Sequence, residues 1–304
     1  MTNFALIGLG KMGGNMARRL VQGGLRPILF DQDPALTASL AAELGCIAAK
    51  SPTDAATQLT GPRVLWLMLP AGQVTEDMIT LVSMQLQAGD VLVDGANSFY
   101  KDAMRRSGSL QTRGVAFADA GVSGGVHGLA NGYCLMVGGS SYALQQLRPY
   151  LEALAPARDT GWLHAGQSGA GHYLKMVHNG IEYGMMQALA EGFALLQAKK
   201  EFDIDLAATS ELWRHGSVVR SWLLDLTANA LKEDASLDGI KPHVADSGEG
   251  RWAAQEAVDL GIPTPVISLA LMMRFASQGQ DEFGAKLLAK MRQGFGGHAV
   301  QTGG

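Results

Sequence analysis

Four short runs in the first third of the chain, Phe4–Leu9, Pro27–Phe30, Val64–Leu69 and Val91–Asp94, are rich in Val, Ile and Leu and show almost no polar alternation. A strand with one wet face alternates, whereas a strand covered on both faces does not. Amphipathic stretches at Lys11–Val21, Pro34–Leu44, Val74–Leu86 and Tyr100–Thr112 separate these runs. Alternation of this kind predicts a parallel sheet with helices on both faces. Val115–Ala118 and Cys134–Val137 read as further strands and Tyr142–Leu154 as a further helix. After about Trp162 the pattern changes. Ala170–Lys199 has the period of one long helix, although Gly171, Gly180, Gly184 and Gly192 weaken its propensity. Asp205–Trp213, Ser221–Leu231, Arg251–Leu260, Pro265–Ala276 and Asp281–Met291 are also helical in period, and no strand-rich run recurs.

Two domains are expected on length as well, since 304 residues is twice the size of a domain of about 150. A net charge of −4 argues against a nucleic-acid binder, which needs surplus cations to displace counterions from phosphates. With 47% hydrophobic and 17% charged residues, the chain has the composition of a globular protein with a large core. The two cysteines, Cys46 and Cys134, share no Cys-x-x-Cys spacing, so neither a disulfide scaffold nor a zinc ribbon is expected. No targeting segment is read at the N-terminus. The apolar stretch Ile262–Met273, broken by Pro263 and Pro265, falls short of the about 20 residues a bilayer span needs. A cytoplasmic protein without membrane contact is expected.

Gly8-Leu9-Gly10-Lys11-Met12-Gly13 fits G-x-G-x-x-G where the first strand meets the first helix. The first glycine permits the tight turn, the second lets a pyrophosphate reach the backbone, and the third lets helix and strand pack closely. The helix N-terminus then offers amide donors to the phosphates. The second strand ends in Asp31, about twenty residues on, where an acidic side chain accepts from ribose hydroxyls and repels a 2′-phosphate. NAD is therefore the expected cofactor, with room for NADP as a tolerated second. A cap for the helix starting near Pro34 is the competing role for Asp31, although Asp33 is better placed for it. The expected fold is α/β, with an N-terminal Rossmann-type dinucleotide-binding domain over residues 1–165 and an all-α domain over 166–304.

The long helix carries the most informative block. At about 100° per residue, Lys175, His178, Asn179, Glu182 and Tyr183 fall within an arc of about 140°, while Met176, Val177 and Ile181 point elsewhere. A solvated face would hold paired Glu and Lys without glycine, so a face with a base, an acid and hydrogen-bonding donors points to chemistry. Lys175 and Glu182 lie roughly 10 Å apart along the axis, enough to serve both ends of a short carbon chain.

With these residues in view, the sequence resembles the 6-phosphogluconate dehydrogenases, within the wider β-hydroxyacid dehydrogenases. The likeness rests on the glycine-rich start, Asp94-Gly95-Ala96-Asn97-Ser98, Gly121-Val122-Ser123-Gly124-Gly125-Val126, the block Gly171–Gly184 and the tail Phe295-Gly296-Gly297-His298. At this length the chain looks like a short bacterial form that lacks the duplicated helical half of longer members.

The resemblance implies oxidative decarboxylation of 6-phosphogluconate to ribulose 5-phosphate and carbon dioxide. Lys175 matches the general base that takes the C3 hydroxyl proton and returns one to the 3-keto oxygen. Glu182 matches the acid that protonates C1 of the enediol. No metal is implied, because a lysine ammonium supplies the electrophile. By the same resemblance, Ser123, Gly124 and Gly125 hold the substrate carboxylate, Asn97 lies between nicotinamide and substrate, and His178 and Asn179 bind carboxylate and hydroxyls. Tyr183 and Arg274 match phosphate ligands, and Arg292 and His298 match a pair that a partner subunit contributes. A homodimer or a dimer of dimers with shared sites follows. Ser247 and Glu249 depart from the phosphate-binding Lys and Thr of longer members, with Arg251 as a candidate replacement. The nearest rival is a dehydrogenase of 3-hydroxyisobutyrate or a similar unphosphorylated acid. A non-catalytic NAD-binding sensor is a rival of another class, and the Lys175–Glu182 pair argues against it.

Overall fold

The computed structural model of the chain describes residues 3–279, 282–296 and 301. Among the described residues, eight strands form one sheet: β1 (Phe4–Ile7), β2 (Ile28–Phe30), β3 (Ile47–Ala48), β4 (Val64–Leu67), β5 (Val91–Asp94), β6 (Ala116–Ser123), β7 (Cys134–Gly139) and β8 (Trp162–Gly166). Their order is β3-β2-β1-β4-β5-β6-β7-β8. Neighbours are parallel with one exception, the antiparallel pair β6 and β7, in which Asp119 faces Gly138. The wholly parallel sheet expected from the sequence is thus corrected at β7. The short Gly-rich connection after Ser123 cannot carry the crossover that a parallel neighbour requires. Two strands escaped the sequence reading, β3 and β8.

Eight helices accompany the sheet: α1 (Lys11–Gln22), α2 (Pro34–Leu44), α3 (Pro52–Thr57), α4 (Gln73–Ser83), α5 (Tyr100–Gln111), α6 (Gly128–Asn131), α7 (Ser141–Leu154) and the start of α8 (Ala170–Ala198). Every residue of β1, β4 and β5 is buried. One set of strand side chains, including Phe4, Leu6, Trp66 and Val93, packs with Met16 and Leu20 of α1 and Leu147 and Leu151 of α7. The alternate set, including Ala5, Ile7, Leu65 and Leu92, packs with Ala55, Ile79, Val82 and Ala103 of α3 to α5. Two-sided burial is why these strands lack polar alternation. Each buried Val, Leu or Ile side chain contributes about 1.5–3 kcal/mol, so these two layers dominate the stability of the sheet.

The contacts divide the chain into two compact units, Met1–Met176 and Val177–Gly304, with α8 running from one into the other. The second unit holds the rest of α8 with α9 (Leu206–Arg214), α10 (Trp222–Glu233), α11 (Glu249–Leu260), α12 (Pro265–Ser277) and α13 (Glu282–Gly296). Asp205 and Ser221 cap α9 and α10 through their side-chain oxygens. Its cores are small: Tyr183, Ala270 and Leu271 form one, and Phe193, Leu224 and Leu231 another.

Candidate active site

The glycine-rich turn has the three properties its spacing demands. Gly8 takes a φ of +94°, and a Cβ there would strike the Met68 carbonyl. A Cβ on Gly13 would strike the carbonyl of Gly8, so the helix sits against the strand only because both are glycine. Beside Gly10 there is open space. Gly10 is also the N-cap of α1, which therefore has no side-chain cap, and the helix opens with an exposed Lys11 and a half-buried Met12. A cavity of ≈410 Å³ opens here, lined by Leu9, Gly10, Lys11, Asn15 and Arg18 among others. Asp31, half-buried, accepts the Leu9 N–H at 2.7 Å and the Asp33 N–H at 3.0 Å. Capping of α2 falls to Asp33, whose carboxylate accepts from Ala35 and Leu36. Asp31 is thus free of that duty and braces the turn itself. An open glycine, uncapped amides and an acid at the end of β2 suit a dinucleotide with a free ribose 2′-hydroxyl.

The end of β5 is fixed by buried charge. Asp94 is inaccessible, with one carboxylate oxygen 2.6 Å from Nη1 of the buried Arg106 and the other accepting the Ala96 N–H at 2.9 Å. Nε of Arg106 donates to Glu76 at 2.9 Å, and Arg105 grips the same carboxylate. The hydrogen bond from Arg105, with that from Arg106, pulls the Glu76 carboxyl down to about 2. Beyond Asp94 the chain bends through Asn97, which has a left-handed φ of +51°. The Asn97 side chain accepts from the Val122 N–H at 2.9 Å and donates to the Val122 carbonyl at 3.3 Å. Asn97 is thereby tied to Val122, next to Ser123 at the end of β6 and to Gly124 and Gly125, which both take positive φ.

The opening turns of α8 pack against β6 and β7. Asp119, inaccessible in β6, accepts the Gly169 N–H at 2.6 Å and the His172 N–H at 2.8 Å. It caps the helix from outside the helix's own sequence. A Cβ on Gly171 would meet the carbonyls of Asp119 and Met136, and a Cβ on Gly121 would meet the Cβ of Lys175. The stem of Lys175 therefore lies on the bare backbone of Gly121, and the residue is 6% exposed. Further along α8, His178 Nδ1 lies 3.0 Å from Asn179 Oδ1 and 3.7 Å from a Glu182 carboxylate oxygen, with both the His178 and Glu182 side chains about one-third accessible.

Within the second unit, Tyr183 is buried beneath Arg274, whose guanidinium lies 3.4 Å from the ring centroid. Only glycine fits at position 250, because a Cβ there would enter the Tyr183 ring. The Tyr183 hydroxyl is 3.2 Å from Ser247 Oγ, and Ser247 donates to Glu249 at 2.5 Å. Of the two departures from the family pattern, Ser247 touches a residue of the expected phosphate anchor, and Glu249 is linked to it through Ser247. Arg251 pairs with Asp246 and lies 4.6 Å from the Phe275 ring centroid. Its charge already has a carboxylate partner, which weakens it as a replacement cation. Arg292 is exposed on α13, and His298 lies outside the described residues.

Sequence reasoning missed Asp119 and Arg106, and read Asp94 and His172 only as parts of motifs. An acid inside an apolar strand, as in Val-Leu-Val-Asp and Ala-Phe-Ala-Asp, was the available signal, because such a group must find donors.

Residues 3–164 match the NAD-binding domain of 6-phosphogluconate dehydrogenase, and residues 171–301 match the C-terminal domain of the same enzyme. The chain belongs to the 6-phosphogluconate dehydrogenase family. A Haloferax volcanii protein, an NAD(+)-dependent decarboxylating 6-phosphogluconate dehydrogenase, is 40% identical over 97% of this chain and 97% of its own length. The solved structure of Plasmodium falciparum 6-phosphogluconate dehydrogenase covers 99% of this chain at a TM-score of 0.83 and 28% identity, while this chain spans 66% of it. A 3-hydroxyisobutyrate dehydrogenase from Salmonella typhimurium is less similar, with a TM-score of 0.76 and 25% identity over 92% of this chain and 95% of its own.

Proposed function

We propose that this chain catalyses the NAD-dependent oxidative decarboxylation of 6-phospho-D-gluconate to D-ribulose 5-phosphate and carbon dioxide. The observation that carries the reading is the seat of Lys175. The residue is buried, with its stem on the backbone of Gly121, which is one residue from Val122, held by Asn97, and close in sequence to the Ser123–Gly125 turn.

NAD held along the glycine turn would supply the hydride acceptor for C3 of the substrate. The residues that would hold it are Gly8, Leu9, Gly10, Lys11, Met12 and Gly13, with Asp31 selecting the unphosphorylated ribose and Asn97 at the nicotinamide end. Lys175 removes the C3 hydroxyl proton as the hydride leaves, which requires its neutral form at the outset. It then returns a proton to the 3-keto oxygen, so that negative charge developing as carbon dioxide departs is neutralised where it forms. Glu182 delivers a proton to C1 of the enediol. Ser123, Gly124 and Gly125 receive the carboxylate, with His178 and Asn179 on carboxylate and hydroxyls. Tyr183 and Arg274 hold the phosphate, and the mechanism asks for no metal.

The reading divides the work between a cofactor domain, 1–165, and a substrate domain, 166–304. It also includes a cytoplasmic location and a homodimer or dimer of dimers in which Arg292 and His298 complete the neighbouring site. Exposed apolar residues on α13, among them Phe283 and Leu288, support an assembled state. No helix among the described residues is long and apolar enough to cross a membrane.

Initial rates with 6-phosphogluconate, NAD or NADP, and trapping of released carbon dioxide test the proposal. Faster turnover of 3-hydroxyisobutyrate would overturn the substrate. Replacing Asp31 by Ser with Gln32 by Arg is expected to shift the cofactor ratio toward NADP, and an unchanged ratio would remove Asp31 as the selector.

A further inference from the structure

His172 is 1% exposed, one helical turn before Lys175, and the proposed reaction gives it no role. Its Nε2 lies 3.1 Å from the backbone carbonyl of Asp94. A carbonyl only accepts, so Nε2 carries the proton and donates. Nδ1 is buried without a hydrogen-bond partner among the described residues.

The bond joins two segments distant in sequence. On one side is the turn of α8 that carries Lys175. On the other is the residue at which β5 ends and the bend through Asn97 begins. Asp94 is itself immobilised, since Arg106 and the Ala96 amide take its carboxylate oxygens. We propose that His172 is a positioning residue: its link to the Asp94 carbonyl sets the spacing between the Lys175 amine and the Asn97 bend. This rests on the function proposed above.

Docking of α8 does not depend on this bond. Asp119 holds the amides of Gly169 and His172 independently, and Gly171 and Gly121 fix the helix against β6 and β7. Removing the imidazole N–H therefore loosens a lateral spacing and leaves the helix in place. A misplacement of about 1 Å between reacting groups costs up to about 100-fold in rate, which sets the expected size.

The test compares His172→Leu, which keeps bulk without a donor, with His172→Gln, whose amide nitrogen reaches the position of Nε2. Turnover of 6-phosphogluconate, NAD affinity by fluorescence titration and thermal unfolding are measured for each. For His172→Leu, kcat is expected to fall about 10- to 100-fold with NAD affinity unchanged, and His172→Gln is expected to recover most of the loss. Undiminished kcat in His172→Leu overturns the inference alone, as does a folded His172→Gln as slow as the Leu variant. Loss of NAD affinity in step with kcat in a folded Leu variant also overturns it, because that marks a general structural role. Should the Leu variant not fold, the Gln variant decides: near-normal kcat supports the link, and a slow, folded enzyme opposes it. Wild-type protein that releases no carbon dioxide from 6-phosphogluconate would sink the proposed function, and this inference with it.

Discussion

In the sheet unit, buried polar site residues are gripped by side chains and amides of other elements. Asp94 meets Arg106, His172 bonds the Asp94 carbonyl, and Asp119 takes two amides at the start of α8. In the helical unit the corresponding groups are held by stacking and by hydroxyl contacts, as with Arg274 over Tyr183 and Ser247 between Tyr183 and Glu249. The apolar residues differ likewise. Two large layers close both faces of the sheet, whereas the helices bury small clusters and leave Val258 81% and Phe283 80% exposed. The contrast separates two tasks. Groups that must hold one geometry sit where the backbone is over-determined, and groups that receive the remainder of a substrate sit on surfaces with room to adapt.

The strongest test of that division is Lys175→Met. Loss of the base is expected to lower kcat by about 10²- to 10⁴-fold while NAD affinity holds, measured by initial rates and titration. Near-normal turnover would remove the fixed amine from the mechanism. Arg106→Met comes next, because it strands the buried Asp94 carboxylate and is expected to cost about 3–5 kcal/mol in urea unfolding. The half-buried Arg214, paired with Glu211 and Asp225, provides the control in the helical unit. Arg214→Met is expected to leave the unfolding midpoint in place, and equal effects of the two substitutions would break the comparison.

A pair of glycines tests it with opposite signs. Gly121→Ala pushes a methyl into the Lys175 stem and is expected to destabilise by about 1–3 kcal/mol and to slow turnover. A Cβ on Gly192, in the outer part of α8, meets nothing within 4 Å. Gly192→Ala is expected to stabilise by about 0.5–1 kcal/mol through helix propensity. A further test is of acid stability. Glu76 is lowered from 4.5 to about 2 on folding by its bonds to Arg105 and Arg106. The folded state thus binds its proton more weakly, and the associated stability is present above pH 4.5 and lost as pH falls toward 2. Glu76→Gln is expected to flatten the unfolding midpoint over that window, and an unchanged slope would detach Glu76 from it.

The sequence exposed what depends on neighbours along the chain. The unalternating strands, the Gly8–Gly13 turn, Asp31 and the shared face of α8 are all local patterns. β3, two exposed residues long, offers no period to detect. β8 is at best half-buried, contains His164, and was absorbed into the boundary where the character changes. The direction of β7 depends on pairing with β6, which no local pattern encodes. Asp119 and His172 are 53 residues apart and Asp94 and His172 78 apart, so their bonds are products of topology alone.

Asp119 also distinguishes two helix ends. α8 is 29 residues long, and its aligned peptide dipoles leave roughly half a positive charge at its start. The buried carboxylate cancels that pole. α1 begins at a glycine with no acid in its first turn, and the carboxylate beside it, Asp31, is engaged by the Leu9 and Asp33 amides. Of the two, only α1 keeps its field available to a passing dianion, so a single internal acid directs where negative charge settles on this unit.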